Sequence, residues 1–159
     1  MSESLLTCNI NGESFTGLVD SRTSLADFLR EQRGLTGTHV ACGHGVCGAC
    51  TVFLDAQPVR ACICLAVTVH ERTVTTVEGL TGPIADSLRK SFTKHHALQC
   101  GYCTPGMLVT AIDIVTRKRA FDEASVRTEL AGNLCRCTGY QGIVAAILDT
   151  AATVETLEH

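Results

Sequence analysis

The stretch Cys42-Gly-His-Gly-Val-Cys47-Gly-Ala-Cys50 constrains this chain more than any other, with Cys62 the next cysteine after it. Three cysteines alternate here with Gly43, Gly45 and Gly48, a composition that suits neither helix nor strand. It describes a backbone wrapped tightly around something that binds sulfur. Glycine takes positive φ without steric cost and lets backbone N–H groups approach the sulfurs closely. A centre built on thiolates is negatively charged, and those donors offset the charge.

The chain carries ten cysteines in 159 residues. A disulfide scaffold belongs to secreted, loop-rich chains. This sequence reads instead as mostly regular structure. Its N-terminal stretch, Met1-Ser-Glu-Ser-Leu-Leu-Thr7, has neither the basic nor the long apolar segment of an export signal, which predicts a cytoplasmic protein. Eight of the cysteines fall into two groups of four, a pattern that favours metal ligation. The first group has the C-x4-C-x2-C…C spacing of a plant-type [2Fe–2S] site, with Cys42, Cys47, Cys50 and Cys62 as its ligands. Spacing alone leaves Cys64 open as the fourth. Cys8 falls at an alternating strand position and reads as a small buried hydrophobe. His44 reads as an exposed loop histidine.

The second group is Cys100-Gly-Tyr-Cys103 with Cys135-Arg-Cys137. Cys103 directly precedes a helix start, where free N–H groups and the positive dipole end favour thiolate. Cys135 and Cys137 lie just before the last predicted helix. Two helix N-termini facing each other can hold four thiolates in the middle of a bundle. Structural zinc also accepts four cysteines. A C-x-C half is the less common one in zinc knuckles, which favours iron–sulfur. Tyr102 either covers the site from solvent or fills core.

The surrounding chain predicts a frame for each group. Leu6, Cys8 and Ile10 alternate with polar residues, Asn11-Gly12 is a strong hairpin signal, and Phe15 with Leu18 and Val19 marks the return strand. A helix follows over Ser24–Arg33, with Ser24 or Thr23 as cap, Leu25, Phe28 and Leu29 on one face, and Gly34 as stop. Thr51–Leu54 reads as a strand, Asp55 to Pro58 as a turn, Val59 to Cys62 as the return, and Thr73–Val77 as a further strand. That order makes a β-grasp domain over residues 1–78. Two glycines and a proline then mark a linker at 79–83. Residues 84–159 have helical periodicity and predict a four-helix bundle: Ile84–His95, a helix from Thr104 as N-cap with Pro105 at N1, Asp122–Leu130, and Tyr140–Val154. In the second of these, Leu108, Ile112 and Val115 share a face and Arg117, Lys118 and Arg119 complement the C-terminal end. In the last, Ile143, Ala146, Ile147 and Thr150 are in register. The fold class is therefore α+β. A formal charge of −3 argues against nucleic acid or an anionic membrane as the main partner, and no apolar run is long enough for a membrane span. The terminal Leu157-Glu158-His159 reads either as native sequence or as the start of a vector-derived tag, and it carries no functional weight.

Three motifs carry a specific resemblance. Ala41-Cys-Gly-His-Gly-Val-Cys-Gly-Ala-Cys-Thr51, Gln99-Cys-Gly-Tyr-Cys-Thr-Pro-Gly-Met107 and Gly132-Asn-Leu-Cys-Arg-Cys-Thr-Gly-Tyr-Gln141 closely resemble the iron–sulfur subunit of the molybdenum hydroxylases, the family of xanthine dehydrogenase, aldehyde oxidoreductase and CO dehydrogenase. The likeness spans essentially the whole chain. It implies that Cys42, Cys47, Cys50 and Cys62 hold a distal [2Fe–2S] cluster and that Cys100, Cys103, Cys135 and Cys137 hold a proximal one. It implies further that Gln99 and Cys137 approach the pterin of a molybdenum cofactor, molybdopterin as its cytosine dinucleotide, on a large subunit. Electrons would pass through the proximal and then the distal cluster to FAD on a medium subunit, in a heterotrimer or a dimer of heterotrimers.

The expected function is thus electron transfer within an oxidoreductase complex, with no catalytic residue on this chain. Plant-type clusters sit near about −400 mV, so a relay accepting electrons from a two-electron oxidation needs higher potentials, and the two clusters should differ. A free-standing two-cluster carrier of ferredoxin type is the alternative, but it leaves the helical half without a purpose. Purine, aldehyde, CO and N-heterocycle all remain open as substrates, as does the reductive direction.

Overall fold

The computed structural model describes residues 2–117 and 122–157. Strands β1 (Glu3–Ile10) and β2 (Glu13–Asp20) pair antiparallel along their whole length. Asn11 and Gly12 join them with φ of 54° and 89°, the double positive φ of a type I′ turn. Leu6, Cys8 and Ile10 face one buried side, as their alternation predicts. β3 (Thr51–Leu54), β4 (Gln57–Arg60) and β5 (Thr73–Thr75) complete a sheet of order β2-β1-β5-β3-β4, in which β5 runs parallel to β1 and antiparallel to β3.

Three local details differ from the sequence expectation. The first helix, α1, is regular only over Leu25–Asp27, where Ser24 accepts from the Asp27 N–H at 3.0 Å. It then widens into a π turn, Phe28–Gln32. The Arg33 N–H bonds to the Phe28 carbonyl five residues back, which swings the guanidinium to 4.7 Å over the Phe15 ring while Phe28 and Leu29 stay fully buried. The turn after β3 is two residues rather than four. Asp55 and Ala56 both take positive φ, and the Asp55 carboxylate accepts from the Thr73 N–H at 2.9 Å and Arg72 Nε at 2.7 Å, fastening the turn to β5. β4 consequently ends at Arg60, and Cys62 lies on a 3₁₀ turn, Ala61–Ile63. β5 stops at Thr75 because the Asn11 side chain takes the Thr76 N–H and donates to its hydroxyl.

The second half contains α2 (Pro83–Lys94), α3 (Thr104–Thr116), α4 (Glu123–Glu129) and α5 (Gln141–Leu157). The predicted cap of α3 is displaced by one residue. The Met107 N–H bonds to the Cys103 carbonyl, so Cys103 is the N-cap and Thr104 the first helical residue. The Thr104 hydroxyl is buried without a hydrogen-bond partner. Asp122 caps α4 through a reciprocal pair with Ser125, as predicted. Arg117 bonds Glu129 at 2.9 Å, while Lys118 and Arg119 lie outside the described residues. Ile143, Ala146, Ile147 and Thr150 are all fully buried, in the register their spacing implies.

Each half has its own core, and α3 lies against β3 and β4 where they meet. Phe53 turns away from the sheet core and packs into the helical one. The two halves are therefore fixed to each other through α3.

One ion-pair cluster ties α2 to α5. Asp149 accepts from Ser91 Oγ at 2.6 Å and Lys94 Nζ at 3.0 Å, with His95 Nε2 at 3.3 Å. The Ser91 hydroxyl first, then Lys94, holds the carboxyl at about 2, below its ordinary 3.8. A depressed folded value stabilises the fold above the unfolded pKa and ceases to do so as pH falls through the folded one. Since the carboxylate is about a third exposed, solvent screens it, and Asp149→Ala should cost about 1 kcal/mol at neutral pH. Urea unfolding of both proteins should show that difference shrinking below about pH 4 and vanishing near pH 2.

Candidate metal centres

The Cys42–Cys50 segment leaves α1 as an irregular loop in which Gly43, Gly45 and Gly48 all have positive φ. The curl aims backbone N–H groups at sulfur. The Cys47 N–H donates to Cys42 Sγ at 3.4 Å. Donors from Cys47, then His44, with Val46 adding to them, lower the Cys42 thiol to about 6. Cys50 is buried beside Cys62, and burial above all pushes its thiol up to about 11. Cys42 thus meets Cys47, and Cys50 meets Cys62, with Cys47 also near enough to act on Cys50. Cys64 turns away, with its Sγ 3.3 Å from Thr68 Oγ1. His44 is exposed and bonds to the Cys42 carbonyl.

The second group also pairs. Cys137 Sγ lies 3.5 Å from Cys100 Sγ, and Cys103 sits against Cys135. Burial first, then Cys135, pushes Cys103 up to about 12, so desolvation outweighs the helix start that favours its thiolate. Burial would raise Cys135 too, but the Thr138 hydroxyl at 3.1 Å and nearby backbone N–H groups hold it below its ordinary value. A cavity of about 190 Å³ touches all four of these cysteines and has Cys47 in its wall. The group opens at one end of the bundle and is not enclosed in its middle: Cys100 and Cys137 are exposed, together with Leu98, Gln99 and Leu134.

In the second group Cys137 lies against Cys100 and Cys103 against Cys135, all four around one cavity. A tetrahedral zinc collects four sulfurs about one centre, whereas a two-iron cluster takes two thiolates at each iron. The crowded, buried thiols are costly to ionise alone, and bound iron would supply the positive charge that lets them do so. Together with the N–H donors on sulfur, this chemistry fits a [2Fe–2S] cluster in each half.

The halves meet at these loops. The Leu134 N–H donates to the Cys47 carbonyl at 2.8 Å. Tyr102 is 46% exposed and so does not fill core; it stacks on His39 at 4.6 Å, and its hydroxyl donates to the Val40 carbonyl at 2.8 Å. Sequence reasoning missed Arg60, Thr110 and Asn133, which meet between the loops. No local spacing marks them, because Arg60 and Asn133 are 73 positions apart.

Two thiol groups, one on a ferredoxin-like sheet and one in a helical bundle, define a two-cluster iron–sulfur protein. The family described as "2Fe-2S iron-sulfur cluster binding domain" matches residues 8–73, and that described as "[2Fe-2S] binding domain" matches residues 76–148. The chain is 46% identical to the caffeine dehydrogenase subunit gamma of Pseudomonas sp. (strain CBB1), over 98% of this chain and 95% of that one. It is 45% identical to the nicotine 6-hydroxylase small subunit of Paenarthrobacter nicotinovorans, over 91% of this chain and 88% of that one. Among solved structures, quinoline 2-oxidoreductase from Pseudomonas putida 86 superimposes with a TM-score of 0.89 at 43% identity, covering 99% of both chains. The aldehyde oxidoreductase from Desulfovibrio desulfuricans ATCC 27774 gives 0.88 at 40% identity, with 96% of this chain matching 17% of that longer one. The chain belongs to the iron–sulfur subunits of the molybdenum hydroxylase family. It carries two [2Fe–2S] clusters and transfers electrons within a multi-subunit oxidoreductase, without a catalytic site of its own. A free-standing carrier is not favoured. In the family, molybdopterin and FAD are carried by other subunits. Among the described residues no helix is long and apolar enough to cross a membrane.

Proposed function

We propose that Cys42, Cys47, Cys50 and Cys62 ligate the distal cluster, and that Cys100, Cys103, Cys135 and Cys137 ligate the proximal one. The domains are residues 1–78 and 84–159, joined by 79–83. The proximal end faces a large molybdopterin subunit, with Gln99 and Cys137 at the pterin. The distal loop faces a medium FAD subunit, with the exposed Val46 and Ile63 beside it. The observation that carries this reading is the pairing of thiols in two groups, the helical one opening to the surface where Gln99 and Cys137 lie. The chain's residues hold and separate the clusters, supply N–H donors to sulfur and exclude water; the clusters supply the one-electron chemistry.

The relatives named for caffeine, nicotine and quinoline, all N-heterocycles, share 46, 45 and 43% identity with this chain, against 40% for the aldehyde oxidoreductase. That order supports an N-heterocyclic substrate on the large subunit. Anaerobic affinity purification of the chain from its own host tests the assembly. The expected result is a brown complex with molybdopterin and FAD on two further chains, reduced by N-heterocycles and not by aldehydes. A two-cluster monomer with no co-purifying chain would overturn it.

A further inference from the structure

The polar group that joins the two cysteine loops is Asn133, which is 2% exposed and lies two residues before Cys135. Its amide donates to the Gly48 carbonyl at 3.2 Å and reaches Thr51 Oγ1 at 3.5 Å. Its oxygen accepts from Thr110 Oγ1 at 3.1 Å and from Arg60 Nη2 at 3.2 Å. One side chain thus bonds the first cysteine loop, β3, β4 and α3. Only an amide presents two donors and a two-fold acceptor in that space. Arg60 closes the arrangement: Nη1 donates to Thr51 Oγ1 and Nη2 to the Gly132 carbonyl, both at 2.6 Å. The chain of bonds reaches the second group itself, since the Cys135 N–H donates to Tyr140 Oη, and that hydroxyl donates to the Asn133 carbonyl.

The loops approach at backbone contact. A Cβ on Gly48 would lie 2.4 Å from the Gly132 carbonyl oxygen, and one on Gly106 would lie 2.2 Å from the Gly48 oxygen. A solvated or loosely packed junction would not need an amide with every valence used. Electron transfer between clusters falls exponentially with their separation, so a side chain that fixes the loops relative to each other also fixes the rate.

We propose that Asn133, clamped by Arg60, is the positioning residue for electron transfer between the two clusters. This rests on the assignment of one cluster to each half. In the step concerned one electron leaves the reduced proximal cluster, which becomes oxidised, and enters the oxidised distal cluster, which becomes reduced. No bond breaks and no proton moves.

The test uses the whole complex with Asn133→Asp or Arg60→Gln. Asn133→Asp keeps the shape but sets an oxygen against the Gly48 carbonyl. Arg60→Gln leaves Asn133 in place and removes the guanidinium. EPR of the dithionite-reduced complex reads the dipolar splitting between the two reduced clusters, and rapid-freeze EPR after mixing with dithionite reads the lag between the two signals. The expected result is parental iron content and parental g-values for each cluster, with the splitting diminished and the lag lengthened. Parental splitting and lag in either iron-loaded variant would overturn the proposal. So would iron loss in both variants with unaltered splitting in the clusters that remain, which would make Asn133 a structural residue only. If the parent complex itself lacks two distinct signals, the cluster assignment fails, and the clamp with it.

Discussion

Gly48→Ala should destabilise the protein by about 2–5 kcal/mol and release the distal cluster. Gly48 has φ of +73°, and an alanine held there costs about 1–2 kcal/mol. Its Cβ would also sit 2.4 Å from the Gly132 carbonyl oxygen and 2.9 Å from Asn133 Cγ. Backbone cannot rotate aside like a flexible side chain, so the loops must part, which adds about 1–3 kcal/mol. Gly43→Ala is the control. It has φ of +70°, but its Cβ would meet nothing within 4 Å. It should cost only the conformational part. Thermal unfolding should place Gly48→Ala roughly 4–20 °C below the parent and well below Gly43→Ala. Equal loss in both would show that the close approach of the halves contributes nothing.

Cys103→Ser should halve the iron content, from about four to about two per chain. The serine hydroxyl ionises far less readily than the thiol and is a poor iron ligand, and Cys103 sits half-buried against Cys135. One EPR signal should disappear while the other keeps its g-values, because the proposed distal ligands Cys42, Cys47, Cys50 and Cys62 are untouched. On the proposed order of clusters and subunits, substrate-driven reduction of the FAD subunit should then stop. Cys64→Ser should leave the iron content at the parental value, because its thiol faces Thr68. Iron loss in Cys64→Ser would move the fourth ligand from Cys62 to Cys64.

What could be read from the residues beforehand was whatever depends on near neighbours. The β1–β2 hairpin followed from alternation around Asn11-Gly12, the core register of α5 from Ile143, Ala146, Ile147 and Thr150, and the α4 cap from Asp122. The Cys42–Cys50, Cys100–Cys103 and Cys135–Cys137 motifs were legible because the spacing within each is short. Elements settled by distant partners were not. Asp55-Ala56 contains neither Gly nor Asn, and its positive φ values depend on bonds to Arg72 and Thr73 across the sheet. The π turn depends on where Arg33 meets Phe15. Thr104 looks like a cap, yet the first turn of α3 closes on Cys103. The junction was the least legible part. Asn133 resembles any loop asparagine until folding brings Gly48, Arg60 and Thr110 around it. Two cluster-binding halves can be recognised separately, but their mutual distance is a property of contacts between them.

The most direct measurement is a redox titration of the purified complex followed by EPR. Two [2Fe–2S] signals of equal weight, with different g-values and different midpoint potentials, are the predicted result. A single signal, or a chain holding zinc without acid-labile sulfide, would contradict the account.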